Sequence, residues 1–99
     1  MTRERHSAPL PFAPDHPAFA GHFPGLPIIP GVQLLDRAQR LIEAQYGVLL
    51  SGIQSAKFLS PAAPGDALEL EYQIGEKGVM FEIRCGERKV ASGQFNIQV

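Results

Sequence analysis

The chain has 99 residues, enough for one domain and too few for two. Nine Lys and Arg residues against ten Asp and Glu residues give a formal net charge of −1, so the charge balance gives no indication of nucleic-acid binding. The single cysteine, Cys85, excludes an internal disulfide and is typical of a reducing compartment. No apolar run reaches signal-peptide or membrane-span length, so we expect a cytoplasmic protein with no membrane partner.

The first half of the chain predicts one edge segment and one helix. Residues 1–7 are polar, and we expect them to be disordered at the end of a single domain that spans 1–99. Residues 9–14 contain three prolines that lack amide donors, which predicts an extended segment at a sheet edge. Pro30 is expected in the first turn of a helix that runs from Gly31 to about Gln45 and ends at Gly47. Its predicted apolar arc contains Val32, Leu34, Leu35, Ala38, Leu41 and Ile42.

The second half of the chain predicts strands joined by short turns. Alternating apolar residues indicate strands at 67–74, 79–85 and 90–99, and a weaker candidate lies at 52–59. Short hairpin turns favour antiparallel pairing. Cys85 is in phase with its apolar neighbours and is predicted to lie in the core. We therefore expect an α+β fold in which one long helix packs on an antiparallel sheet of about five strands. The other face of that sheet is either solvated or paired with a second copy.

A proline-rich segment, GHFPGLPIIPG at 21–31, contains the histidine that stands out as a candidate catalytic residue. Prolines at three positions restrict the loop around His22, and the loop ends at a helix N-terminus whose first amides carry partial positive charge. His22 is suited to remove a proton beside a carbonyl, the Gly31 amide to stabilise the developing oxyanion, and Asp36 to act as an acid. Too few ligands lie near His22 for a metal site, so we expect no metal and no cofactor.

Two blocks of the sequence resemble a known family. GHFPGLPIIPGVQLLD at 21–36 and AKFLSPAAPGDALELE at 56–71 are similar to signature blocks of the hot-dog-fold 3-hydroxyacyl-acyl-carrier-protein dehydratases. The resemblance covers about residues 14–99. The short form with Asp36 looks most similar to the aryl-polyene and hydroxymyristoyl dehydratase-like branch.

The resemblance implies a hot-dog fold and a dimer, or a higher even oligomer, whose sheets join. It implies a lyase that dehydrates a 3-hydroxyacyl thioester carried by acyl carrier protein, with His22 from one subunit facing Asp36 from the other. The thioester would bind at the amides of Gly31 and Val32. Four apolar residues are expected to line the acyl tunnel, namely Phe23, Pro24, Ile29 and Phe58.

Three departures from the family pattern bear on this hypothesis. Asp36 replaces the glutamate of many members. Arg40 replaces a glutamine and stands four residues after Asp36, where it could pair with the carboxylate and weaken its role as an acid. The N-terminal strands and helix of the family are largely absent before residue 8.

Other functions stay open at this point. A hot-dog thioesterase would use Asp36 to hydrolyse the thioester, and a non-catalytic chain would complete the site of a dehydratase heterodimer. Dispersed basic residues are a weaker indication of an acidic carrier-protein partner, because such residues are more often only solvated. They are Arg3, Arg5, Arg37, Arg40 and Lys57.

Overall fold

The computed structural model describes residues 4–12, 28–76 and 78–98. It contains one helix and five strands in the order β1 (Glu4–Pro9), α1 (Gly31–Tyr46), β2 (Leu50–Phe58), β3 (Leu68–Ile74), β4 (Gly78–Cys85) and β5 (Arg88–Ile97). The strands form one antiparallel sheet in the order β1-β3-β4-β5-β2. The predicted α+β arrangement is confirmed. Across the described ranges, no helix has both the length and the apolar character needed to cross a bilayer.

Helix α1 forms where the apolar periodicity predicts it. Its buried side chains recur at helical spacing, at Leu34, Leu35, Ala38 and Ile42. Gly47 ends the helix in the left-handed conformation, with φ of 78°, and its amide donates to the Glu43 carbonyl.

Two predictions about the start of α1 were wrong. Pro30 is the N-cap residue (φ −60°, ψ 140°) and precedes the first turn, where its carbonyl accepts from the amides of Gln33 and Leu34. Val32 is 69% exposed and therefore lies outside the buried arc. It falls in the first turn, where its side chain faces an open cavity.

Strands β3, β4 and β5 pack one apolar face against α1. Tyr72 is opposite Phe81 and Leu70 is opposite Ile83, so buried side chains stack across the two strands. The ring of Phe81 also stacks on Phe95 of β5, with centroids 4.7 Å apart. Cys85 is partly buried against this cluster, as its phase predicted.

Strand β1 corrects the expectation that residues 1–7 are disordered, because residues 4–7 pair with β3. The polar composition of this segment did not indicate its ring contacts. His6 stacks on Tyr72 with ring centroids 5.1 Å apart and meets Tyr46 edge-on with centroids 5.3 Å apart. The Tyr72 hydroxyl donates to Gln45 Oε1 at 2.7 Å. Burial raises the pKa of Tyr72, so this hydroxyl remains a protonated donor.

Strand β2 is the other edge of the sheet and is irregular. Its register against β5 shifts between Leu50 and Gly52 and again between Ile53 and Ser55. After the second shift its backbone lies very close to Gly93, where an ideal Cβ would lie 2.2 Å from the Ser55 carbonyl oxygen. Glycine is therefore required at position 93 for β2 to pair as it does.

Candidate active site

A cavity of about 560 Å³ lies at the N-terminal end of α1. One wall comes from the segment that leads into the helix, and the opposite wall comes from the end of β2 and the loop after it. Its lining is mostly apolar and comprises Ile28, Ile29, Gly31, Val32, Leu34 and residues 58–62. A cavity of this size lies within the range of small-molecule sites.

The first amides of α1 are available at this cavity. Among the residues that the structure describes, no side chain caps the helix, and the amides that donate to the Pro30 carbonyl are those of Gln33 and Leu34. Within the part of the chain that the structure describes, the Gly31 amide has no backbone acceptor. Amides at a helix N-terminus carry partial positive charge and stabilise an oxygen that gains negative charge.

Gly31 is held closely under an aromatic ring. An ideal Cβ on Gly31 would lie 2.7 Å from two ring carbons of Phe58, so any larger residue would displace the ring. Phe58 is itself 55% exposed. The ring and the first helical amide are therefore neighbours on the cavity wall.

Asp36 lies elsewhere on α1. Its carboxylate is 51% exposed, does not line the cavity, and pairs with Arg40 at 3.0 Å between Oδ2 and Nε. The i, i+4 pair that the sequence indicated is therefore formed.

The loop between β2 and β3 holds the opposite wall of the cavity in place. The Ala62 carbonyl accepts from the Ile29 amide at 2.8 Å, which ties the loop to the segment before α1. Asp66 Oδ2 accepts from the Ala63 amide at 2.9 Å within the Pro-Gly-Asp turn. Arg88, at the start of β5, donates to Ser60 Oγ, the Pro61 carbonyl and Asp66.

Four of the predicted site residues therefore meet at one cavity, namely Ile29, Gly31, Val32 and Phe58. Asp36 is not among them in this chain. His22, Phe23 and Pro24 lie outside the described residues, so their predicted roles stay predictions. Sequence reasoning missed Ser60 and Arg88. The Pro-Gly-Asp turn marked the loop, but no sequence signal indicated that an arginine 22 residues after Asp66 contacts it.

The described residues form one helix packed on an antiparallel sheet of five strands, and this architecture is that of the hot-dog fold. A chain of the dehydratase heterocomplex ApeI:P from Xenorhabdus doucetiae superposes with a TM-score of 0.82 and 25% identity, over 100% of this chain and 96% of that one. A pyran synthase domain from the sorangicin pathway, 23% identical, shares the fold with a TM-score of 0.75 over 97% of this chain and 35% of its own.

Sequence comparisons identify the family. A 3-hydroxyacyl-[acyl-carrier-protein] dehydratase FabZ from Chlamydia trachomatis serovar L2 is 36% identical over 98 residues, covering 83% of this chain and 64% of its own length. The Haemophilus influenzae (strain PittEE) protein of the same name is 40% identical over 70 residues, covering 61% and 47%. The chain thus spans less than two thirds of the length of these relatives. Residues 1–94 match the ApeI-like family, described as ApeI dehydratase. The chain belongs to the ApeI-like dehydratase family, which confirms the resemblance found in the sequence.

Proposed function

We propose that the protein dehydrates a 3-hydroxyacyl thioester on acyl carrier protein to the 2-enoyl thioester, in fatty acid or aryl-polyene-type biosynthesis. The observation that carries the proposal is the apolar cavity that ends at the uncapped first amides of α1. An apolar acyl chain and a thioester carbonyl match these two parts of the site. Relatives named 3-hydroxyacyl-[acyl-carrier-protein] dehydratase support the same substrate class.

The proposed mechanism is an elimination. His22 removes a proton from C2 of the substrate, and the thioester oxygen takes up the negative charge as an enolate. The Gly31 amide, with that of Val32 beside it, donates to this oxygen and stabilises the transition state. Asp36 protonates the departing 3-hydroxyl group, the C3–O bond breaks, and water leaves as the C2–C3 double bond forms.

The ion pair between Asp36 and Arg40 opposes this mechanism only weakly. A carboxylate held by a guanidinium accepts hydrogen bonds in that contact, so the pair must open before Asp36 can donate a proton. Both side chains are more than half exposed. Exposed i, i+4 pairs contribute about 0.5 kcal/mol or less, which corresponds to about a factor of two in rate. The pair therefore does not displace Asp36 from the acid role.

The position of Asp36 supports assembly as a dimer. Its absence from the lining of its own chain's cavity fits a site in which the acid comes from a second chain. Strand β2 offers a surface for that chain, because it has a neighbour only on the β5 side among the described residues. Exposed apolar side chains, Ile53 at 47% and Phe58 at 55%, lie along it. We propose a cytoplasmic homodimer that needs no cofactor.

A second candidate is a subunit of a dehydratase heterodimer. The observation that favours it is the likeness over nearly full length to a chain of a dehydratase heterocomplex. Under this alternative, the purified chain alone would not dehydrate the substrate and would gain activity when mixed with a related subunit. The proposed cavity chemistry would be the same, but the two chains that meet at the site would differ.

Incubation of the purified chain with 3-hydroxyacyl-acyl-carrier protein tests the proposal. We expect loss of one water by mass and ultraviolet absorbance of the conjugated enoyl thioester. His22→Ala should lower kcat by about 100-fold or more, because general acid–base catalysis contributes at least that much. His6→Ala is the matched control, since His6 stacks on Tyr72 and does not line the cavity.

Two outcomes would contradict the proposal. Full activity of His22→Ala would show that His22 is not the base of the reaction. Release of free thiol without loss of water would identify a thioesterase instead.

A further inference from the structure

Arg88 makes three contacts with one loop. Its Nη1 donates to Ser60 Oγ at 2.9 Å and to the Pro61 carbonyl oxygen at 2.5 Å, and its Nη2 lies 3.5 Å from Asp66 Oδ2. Ser60 Oγ in turn donates to the Lys89 carbonyl at 2.7 Å. The start of β5 is thereby joined to both ends of the loop 60–66.

The same loop forms one wall of the cavity and is hydrogen-bonded to the segment that forms the other wall. Ser60, Pro61 and Ala62 line the cavity directly. The Ala62 carbonyl accepts from the Ile29 amide, two residues before Gly31. A displacement of the loop would therefore move both the apolar wall and the backbone that leads to the first amides of α1.

We infer that Arg88 is a positioning residue for the active site, an inference that rests on the proposed dehydration. It does not line the cavity. It acts through the loop 60–66, which holds the Ile29 backbone and so sets where the Gly31 amide lies relative to the thioester oxygen. Small displacements of such donors have large effects on rate, because the transition state requires closely defined distances.

The chemistry of the contacts requires arginine. A planar guanidinium presents several N–H groups in fixed directions and can serve a hydroxyl, a carbonyl and a carboxylate together. Lysine keeps the charge but is a point donor on a flexible stem, so it should hold only part of the loop.

The test compares Arg88→Gln with Arg84→Gln. Arg84 has a similar exposure, 37% against 44% for Arg88, and also contacts carboxylates, those of Glu71 and Glu82. Its partners lie on the sheet and do not line the cavity. We expect kcat to fall about tenfold in Arg88→Gln with a smaller change in KM, because a displaced Gly31 amide would lose its hydrogen bond mainly to the oxyanion of the transition state. Arg84→Gln should stay within about twofold of wild type, and Arg88→Lys should lie between wild type and Arg88→Gln.

Amide hydrogen exchange provides a readout that does not depend on activity. The Ile29 amide should exchange faster in Arg88→Gln, whereas the core amides of β3 should exchange as in wild type. An unchanged Ile29 exchange rate, or a kcat no lower than that of Arg84→Gln, would overturn the inference. A wild-type chain that does not dehydrate the substrate would contradict the proposed function, and the Ile29 exchange would still test the role of Arg88.

Discussion

The two edge strands of the sheet, β1 and β2, differ in length and in the side chains that they expose. Strand β1 has six residues, exposes polar side chains such as Arg5 and Ser7, and terminates at Pro9. Strand β2 has nine residues, and two of its exposed side chains are Ile53 and Phe58. Short, polar, proline-terminated strands discourage further pairing, whereas long strands with apolar residues invite it. The comparison favours β2 over β1 as the edge at which the proposed second chain would join.

The β2 edge is also the edge that carries site residues. Its last residue, Phe58, covers Gly31, and the loop that follows β2 forms the far wall of the cavity. Strand β1 contributes nothing to that wall among the described residues. Assembly and chemistry are thus expected to depend on the same strand.

Ile53→Lys should have the largest effect, because it places a charge on the edge proposed to pair. We expect the particle mass to fall from dimer to monomer and dehydration activity to be lost. Ser7→Lys is the matched control on the other edge, where the new charge would lie opposite Glu71. Light scattering coupled to size-exclusion chromatography measures the mass. A dimer that persists in Ile53→Lys, or dissociates in Ser7→Lys, would contradict the comparison.

Gly93→Ala tests how β2 is attached to the sheet. The new methyl group would meet the Ser55 carbonyl oxygen and the Ala56 Cα atom, which are backbone atoms that cannot rotate away. We expect the free energy of unfolding in urea to fall by about 1–3 kcal/mol, as in other overpacked sites. At Gly52 on β2, an added Cβ meets nothing within 4 Å. Gly52→Ala should therefore cost less than about 0.5 kcal/mol, and equal losses in the two variants would refute the close-contact explanation.

Phe58→Ala tests whether the end of β2 contributes to substrate binding without contributing to the stability of the fold. Because the ring is over half exposed, its removal should affect unfolding little, but it removes an apolar wall from the cavity. A loss of about 1 kcal/mol of apolar contact with the acyl chain would raise KM about fivefold. Met80→Ala removes a similarly exposed apolar side chain that does not line the cavity, and its KM should match wild type. The same KM in both variants would exclude Phe58 from acyl binding.

Arg40→Gln should have the smallest effect. It removes the partner of Asp36, the acid that pairing at β2 would bring to the site of the neighbouring chain. Removal of the Asp36 contact should raise kcat by about twofold, the ceiling set by an exposed ion pair. Arg40→Lys keeps an opposite charge at the same spacing and should leave kcat near the wild-type value. A tenfold or larger fall in kcat for Arg40→Gln would show that Arg40 assists the reaction.

The sequence predicted those parts of the fold whose pattern is local. Helix α1 was expected at 31–45 and spans Gly31–Tyr46, and β3 was expected at 67–74 and spans Leu68–Ile74. Strand β1 was missed because its contacts are distant in sequence: it pairs with β3, and His6 stacks on Tyr72. Val32 was misplaced because periodicity does not show which apolar residues face a cavity instead of the core.

Only part of the candidate site could be predicted, for a similar reason. The motif drew attention to Gly31 and Ile29, but the two walls of the cavity are joined by a hydrogen bond from the Ile29 amide to the Ala62 carbonyl, 33 residues away in the chain. Arg88 had no motif at all, since its partners come together only when β5 lies beside the end of β2. Tertiary contacts of this kind leave no periodic trace in a sequence.

The bare start of α1 also implies a compromise between folding and catalysis. A serine or aspartate in place of Pro30 would accept a hydrogen bond from the second or third amide of the helix, that of Val32 or Gln33, and would stabilise an ordinary helix by about 1 kcal/mol. The same side chain would then compete with the substrate for the Val32 amide, which stands beside Gly31 among the nitrogen donors of the proposed chemistry. The chain keeps proline, which has no group able to occupy them. Stabilising this helix by conventional capping is therefore expected to make a more robust protein and a poorer enzyme.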